Sequence, residues 1–555
     1  VSTAADLLAS LDDQQRAAAE ALLGPVCILA GAGTGKTRAV THRIAYGVAS
    51  GVYPPGRVMA LTFTARAAGE LRVRLRGLGV EGVAARTFHA SALSQLNYFW
   101  PQVIGGTMPR LLDSKARLLA HAADELRLRL DTATLRDVAA EIEWRKTSRL
   151  TIDEYAARER PALASLSADR VVDLQTAYER VKDDRRQLDF EDVLLAAAGM
   201  IESEPRVAQQ VREQYRFFIV DEYQDVSPLQ HDLLRLWLGP RTDVCVVGDV
   251  SQTIYTFAGA SPDYLLGFAT EFSEASVLRL EHNYRSTPEV VGAANRLMKG
   301  EPGALHLVAA ASPGPEPTIT AYETDQAEAR GIAAAIRGQL DAGADASDIA
   351  VLFRINAQSQ ALEAALDAAG VPYQVRGATR FFEQREVVEA IMLLRGATLG
   401  ATDAPLERSV SDVLSSLGWT PTPPEAAGAV RSRWESLDAL LGLAREAPPG
   451  TSLRAFVDDL TERQAAQHEP TLSAVTLTTI HSAKGLEWGS VYLVGLAEGL
   501  LPLSYAKDDR AIAEEKRLLY VGITRARERL AMSWAAGSTG LRSARRMSRF
   551  LDRLE

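Results

Sequence analysis

The sequence predicts an α/β fold of parallel sheets covered by helices, interrupted by two helical insertions. Three observations carry this reading. From Val26 to about residue 92, apolar strand-like runs alternate with helical segments: VCILA, a helix opening at Lys36, MALTF, then a helix over ARAAGEL. The alternation resumes at FFIVDEYQD (217–225) and VCVVGD (244–249). A second alternating block opens near LRLEHNYRS, includes IAVLFRINAQS, and returns at VTLTTI and VYLVGL. Short apolar runs separated by helix-length segments read as β–α–β units, whose strands lie parallel.

The remaining segments follow in order. Residues 110–187 turn long, charged and helical (LLDSKARLLAHAADELRLRL, LSADRVVDLQTAYERVKDDRRQ), which marks a first insertion. Residues 302–318, with their Pro and Gly, read as a loop. Residues 386–474 are helical again, with breakers at TPTPPEAAG and APPG, and form a second insertion. Near the end, EEKRLLYVGITRARERL has helical spacing, with Leu518, Leu519, Val521 and Ile523 on a core-facing side. Arg525 falls close to that apolar side. It is either a solvated rim charge or a group aimed at something negative. The expected division is a first lobe over 1–109 and 188–276 holding the insertion 110–187, and a second over 277–385 and 475–555 holding the insertion 386–474. No fixed-period repeat is present.

With 555 residues, the chain has room for two to four domains. No run approaches the roughly 20 apolar residues of a membrane span, and the first residues lack the pattern of a signal peptide. Cys27 and Cys245 sit in apolar strand-like runs and read as buried, reduced thiols. A cytoplasmic protein with no membrane partner is the expectation. The net charge of −10 argues weakly against a nucleic-acid binder. Arg110, Lys115, Arg117, Arg127, Arg129, Arg136, Arg145, Lys146 and Arg149 nevertheless cluster, as solvated helix faces or as a contact for duplex.

The chemistry begins at AGAGTGKT (30–37), directly after the strand VCILA. It fits a phosphate-binding loop, with Ala30 in place of the usual first Gly. Small residues let backbone N–H groups face phosphate oxygens, and the helix N-terminus adds its dipole. Lys36 would reach the β- and γ-phosphates and Thr37 would ligate Mg²⁺. In FFIVDEYQD, the strand ends in Asp221, suited to the metal, and Glu222, suited to deprotonating an attacking water. The pair could instead cap the next helix. Gln252, after VCVVGD, could sense the γ-phosphate.

The ordered set LDDQQ, AGAGTGKT, LTFTARAAGEL, RTFHA, IVDEYQD, VGDVSQTIYTFAGA, LEHNYRS, TIHSAKGLEW and LYVGITRA strongly resembles the UvrD/Rep/PcrA helicases of superfamily 1, over about residues 11–530. The resemblance implies two RecA-like lobes, each with an inserted helical domain, with ATP and Mg²⁺ between the lobes and single-stranded DNA tracked 3′ to 5′. It implies that Gln15 reads adenine, that Ala32, Gly33, Thr34, Gly35, Lys36, Thr37 and Arg38 hold the phosphates, and that Tyr284 stacks on the base. Glu487 is similar to the family's ribose contact. Arg285 and Arg525 resemble its two arginine fingers, which would make hydrolysis depend on closure. For DNA, Phe63, Thr64, His89, Tyr255 and Phe257 match first-lobe positions, and Arg354, Asn356 and His481 second-lobe ones. Phe63, Tyr255 and Phe257 would serve equally as core aromatics, and His481 as a satisfied core histidine.

The chain departs from the family where Phe257 replaces the usual Trp, Ala258 the usual Arg and Trp488 a common Phe, and in a short second insertion. Its start without Met and its end soon after the last motif fit the motor part of a longer protein. The function expected is ATP-dependent unwinding of DNA at single-strand–duplex junctions, in repair or replication-fork maintenance, with a protein partner in repair as a further expectation. Two rivals stay open: a translocase that strips proteins but unwinds poorly alone, and a nucleotide-gated DNA-binding scaffold with slow turnover.

Overall fold

The computed structural model describes residues 3–554 except 131, 159, 161–165, 356–357, 377–381, 383, 399–403, 423–428, 467–472, 505 and 538–543. Two compact units emerge: residues 1–282 with 301–306, and residues 283–300 with 307–555.

The first unit is built on a six-stranded sheet. Its order is Ala84–Thr87, Val58–Thr62, Phe217–Val220, Val244–Gly248, Val26–Ala30 and Ser276–Leu280, every neighbouring pair parallel. Strands covered on both faces must be apolar throughout rather than alternating. Val58–Thr62, Phe217–Val220 and Val244–Gly248 are accordingly buried at every position. Cys27 and Cys245 belong to the cores on opposite faces, both as free buried thiols.

The expected boundary at 276/277 falls inside the strand Ser276–Leu280. Its five residues pair with Val26–Ala30, the strand that leads into the phosphate loop, and the division between units comes after His282.

The first insertion enters and leaves through a two-residue parallel ladder, Arg110↔Gln187 and Leu111↔Leu188. Helices Lys115–Glu125, Thr132–Thr147, Ile152–Ala156 and Ala168–Asp184 follow between. Ser114, Thr151 and Ser167 cap three of them by accepting from backbone N–H groups one turn on. Leu118, Val138, Ile142, Leu174 and Tyr178 help form a separate core. The basic run here is not one solvated face. Arg145 and Lys146 are buried, Lys115 pairs with Glu191, and Arg149 pairs with Asp232 and Glu202.

The second unit has its own six-stranded parallel sheet, ordered Thr318–Thr324, Ala526–Gly537, Trp488–Leu493, Ile349–Phe353, Val475–Thr479, Tyr373–Val375. Its insertion carries helices Arg385–Ala397, Leu406–Ser416, Ala429–Glu446 and Leu453–Ala466 around a core including Val387, Leu394, Leu414, Leu440 and Phe456. The helical reading of EEKRLLYVGITRARERL holds only in part. The helix Asp509–Ile523 ends at the Thr524 cap, and Ala526 opens a 12-residue strand. Among the described residues, no helix is long and apolar enough to cross a membrane.

Candidate nucleotide and DNA site

The phosphate loop joins the strand Val26–Ala30 to the helix Lys36–Ala49. Gly33 and Gly35 hold φ of 70° and 76°, where a side chain would be strained. A Cβ on Gly35 would also lie 2.7 Å from Gln15 Nε2. Gln15 is buried and donates from Nε2 to the Thr34 carbonyl at 3.0 Å. The Thr34 hydroxyl donates to the Gly31 carbonyl at 2.9 Å, and the Gly31 N–H donates to the Leu280 carbonyl at 3.2 Å. The edge strand therefore pins the loop. Ala32 is buried, Thr37 is half-buried in the first helical turn, and the exposed Arg38 donates to the Ser10 carbonyl at 2.6 Å.

Two acids follow the strand Phe217–Val220. Asp221 donates its N–H to the Leu61 carbonyl and accepts from the Glu222 N–H on Oδ1, both at 2.9 Å. Glu222 is a non-glycine residue at φ 54°, a conformation that costs about 1–2 kcal/mol. Its Oε1 lies 3.5 Å from Lys36 Nζ, and its Oε2 accepts from Gln224 Nε2 at 2.5 Å. Gln224 Oε1 accepts from the Asp249 N–H at 3.0 Å, and Asp249 Oδ2 accepts from Gln252 Nε2 at 2.7 Å. Burial pushes the Asp249 carboxyl above its ordinary range, opposed chiefly by the Lys36 charge. One network thus joins Lys36, Glu222, Gln224, Asp249 and Gln252. No sequence motif marks Gln224 or Asp249 apart from its neighbours, although both stand at strand ends, where polar groups meet a nucleotide.

The same segment carries aromatics. Phe63 and Tyr255 stack at 5.8 Å between centroids and 10°, and Phe257 meets Tyr255 edge-on at 6.1 Å. Phe63 is 44% exposed and Phe257 63%, so neither is a core residue. Thr64 caps the helix Ala65–Gly77 by accepting from the Ala67 N–H at 3.1 Å. His89 stacks on Phe190 at 3.9 Å; Phe190 is 60% exposed and was missed because it opens a helix after an Asp cap and resembles a core residue. Where the usual Arg is absent, the Ala258 carbonyl accepts from the Thr147 hydroxyl of the first insertion at 3.5 Å.

In the second unit, Tyr284 is 49% exposed. Arg285 donates from Nε to Glu487 at 2.6 Å and from Nη1 to the Thr524 carbonyl at 3.2 Å. The expected finger and the expected ribose contact are therefore ion-paired. Arg525 is not a solvated rim charge: it is 1% exposed. Its guanidinium donates to the carbonyls of Val521 and Leu486 at 2.9 and 3.0 Å, and to the Thr524 hydroxyl at 3.1 Å. Arg354 pairs with Glu515 at 2.7 Å. His481 is half-buried, and burial, with Arg354 and Lys484 adding, lowers its pKa to about 4. Trp488 is buried in its strand. Asn356 lies outside the described residues.

A glycine cradle that side chains would fill and a screened lysine beside a carboxylate suit a triphosphate. The Thr37 hydroxyl and the Asp221 carboxylate are oxygen donors of the kind a hard cation such as Mg²⁺ takes beside phosphate and water.

Comparison with known proteins identifies the family. The UvrD/REP helicase N-terminal domain matches residues 11–273, and the UvrD-like helicase C-terminal domain matches 278–422 and 427–537. The chain is 47% identical, over its full length and 83% of the relative, to the ATP-dependent DNA helicase UvrD2 of Mycobacterium tuberculosis. It is 30% identical to DNA helicase II of Escherichia coli, covering 99% of this chain and 88% of that one. It is 28% identical to the ATP-dependent DNA helicase PcrA of Leuconostoc citreum, covering 98% and 84%. The Escherichia coli alignment runs over 639 positions, more than the 555 residues here, so that relative carries segments this chain lacks. The chain belongs to the UvrD-like family of superfamily 1 helicases.

Proposed function

We propose that this UvrD-like DNA helicase hydrolyses ATP to move 3′ to 5′ along single-stranded DNA and to part strands at single-strand–duplex junctions, in DNA repair or replication-fork maintenance. One observation supports this most. The short segment from Asp249 to Phe257 begins in the Lys36–Glu222 network and ends in the exposed aromatic group with Phe63. A change at the phosphates reaches the DNA side through a few residues of one loop.

In this reading, the loop N–H groups of 32–37 and Lys36 hold the phosphates, with Arg38 at their rim. Gln15 and Tyr284 hold the base, and Glu487 the ribose. Thr37 and Asp221 hold Mg²⁺, which when bound offsets phosphate charge. Glu222 orients the attacking water and takes its proton, Gln252 senses the γ-phosphate, and Arg285 and Arg525 stabilise charge on the transferring phosphoryl group. Phe63, Tyr255, Phe257 and His89 offer π-faces to successive bases, a mode that ignores sequence and so suits a translocase. Thr64, Arg354, Asn356 and His481 contact the backbone of the strand.

A second reading, a translocase that unwinds poorly without a protein partner, draws on the small second insertion, with four helices among its described residues. Strand displacement on duplexes with a 3′ or a 5′ tail decides polarity, with Arg525→Ala as control. The proposal expects displacement from the 3′ tail only, lost in the variant. Displacement from the 5′ tail would contradict it. DNA-stimulated ATP hydrolysis without displacement from either tail would favour the second reading.

A further inference from the structure

Arg354 follows the strand Ile349–Phe353, and its guanidinium is held on one edge. Nε lies 3.2 and 3.1 Å from the two carboxylate oxygens of Glu515, and Nη2 donates to Oε1 at 2.7 Å. The pair is screened, its side chains 15% and 8% exposed. Glu515 also accepts from the Leu503 N–H at 3.3 Å. One carboxylate therefore joins the end of a central strand, the loop carrying Leu503 and the helix Asp509–Ile523. Bidentate pairing fixes the guanidinium plane as well as its place. Among the described residues Nη1 of Arg354 has no protein partner, so the pairing orients the cation without exhausting it.

The helix that supplies Glu515 ends at Ile523, and Arg525 folds back onto its last turn through the Val521 carbonyl. Glu515 and Arg525 are ten residues apart in sequence, about 15 Å at helical rise. A helix of this length moves as a rod, so a shift at one end is carried to the other.

We propose that Glu515 is a positioning residue: it fixes Arg354 to receive a phosphate of the DNA strand, and through the helix Asp509–Ile523 it ties that contact to Arg525. This inference rests on the functional reading above. Its consequence is reciprocal. If strand contact biases Arg525, nucleotide at Arg525 must bias strand affinity by the same factor.

The test uses the whole chain with Glu515→Gln, which keeps shape and removes charge. Two quantities are read: the oligo(dT) concentration that half-stimulates ATP hydrolysis, and oligo(dT) affinity with and without a non-hydrolysable ATP analogue. The half-stimulating concentration should rise about tenfold, as expected when a charged hydrogen-bond partner is lost. The analogue's effect on DNA affinity should shrink towards none. If Glu515 acts through Arg354, the double variant with Arg354→Gln should be no worse on either quantity than Arg354→Gln alone. Glu515→Asp, which keeps the charge with a shorter reach, should recover part of both, and it carries the test if Glu515→Gln does not fold. Wild-type values for both quantities in Glu515→Gln, or effects that add to those of Arg354→Gln, would overturn the inference alone. A wild-type enzyme whose ATP hydrolysis ignores DNA would overturn it together with the functional reading.

Discussion

Glu222 sits in left-handed backbone at φ 54°, where its carboxylate lies within ion-pair distance of Lys36. Strain of this kind persists where surrounding contacts over-determine it, here the hydrogen bonds from Gln224 and of the Asp221–Glu222 step. Glu222→Gln should lower steady-state phosphate release by about 10²–10⁴-fold, the usual worth of a positioned general base, with ATP affinity little changed. Equal loss of affinity and rate would speak for a purely structural role. His89 and His481 allow a pH prediction. Burial depresses both from 6.5 to about 4. Between those values the unfolded chain binds protons that the folded chain refuses. Their contribution is therefore full above pH 6.5 and is lost as pH falls towards 4, by about 3 kcal/mol for each. Urea midpoints should fall across this window, and His89→Asn with His481→Asn should flatten the fall. At this scale the sequence names candidates where the expected chemistry would demand a residue type, as at Lys36 and Asp221. It was silent on partners: nothing in HNYRS or LEW reveals that Arg285 and Glu487 pair, and nothing in DEYQD marks Gln224 as the bridge to Asp249.

Between elements, the most demanding contact joins the first insertion to the helix Phe190–Ser203. Lys146 and Lys182, both nearly inaccessible, lie among Asp189, Asp192 and Glu179. Charges withdrawn from water in this way are stable only as a set. Lys146→Met should cost about 3–5 kcal/mol, because it leaves Asp189, Asp192 and Glu179 to share Lys182 in a site screened from water. Denaturant unfolding reads this as a lower midpoint, and an unchanged midpoint would mean that water reaches the cluster. The sequence could not show the lock. A basic run has the same letters whether it faces water or acids 40 residues on, and here Arg145 and Lys146 turn inward. The strand Ala526–Gly537 escaped for a related reason: Arg527, Glu528 and Arg529 continue the helix-like pattern, and the chain changes state at Thr524 without Gly or Pro. The edge strand Thr318–Thr324 is largely exposed and gives no apolar signal. The central strands, buried at every position, were legible at once.

Across the whole molecule, each unit has its own parallel sheet and its own helical insertion, the architecture that alternating strands and helices implied. The family relation was legible because its motifs lie at strand ends, where chemistry limits the choice of residue. The unit boundary was less so, since the strand Ser276–Leu280 is read by its pairing with Val26–Ala30 and not by composition. If the exposed aromatics bind bases, Phe63→Ala and Phe257→Ala should each weaken oligo(dT) binding by roughly 5–100-fold, the worth of one stacked base. Affinities equal to wild type would place the strand elsewhere. The central claim is that ATP turnover is coupled to single-stranded DNA. The most direct measurement is steady-state ATP hydrolysis with and without oligo(dT), for wild type and Arg525→Ala. The wild type should show at least about tenfold stimulation, and the variant should lose it, as an arginine finger requires. Equal wild-type rates with and without DNA would contradict the claim.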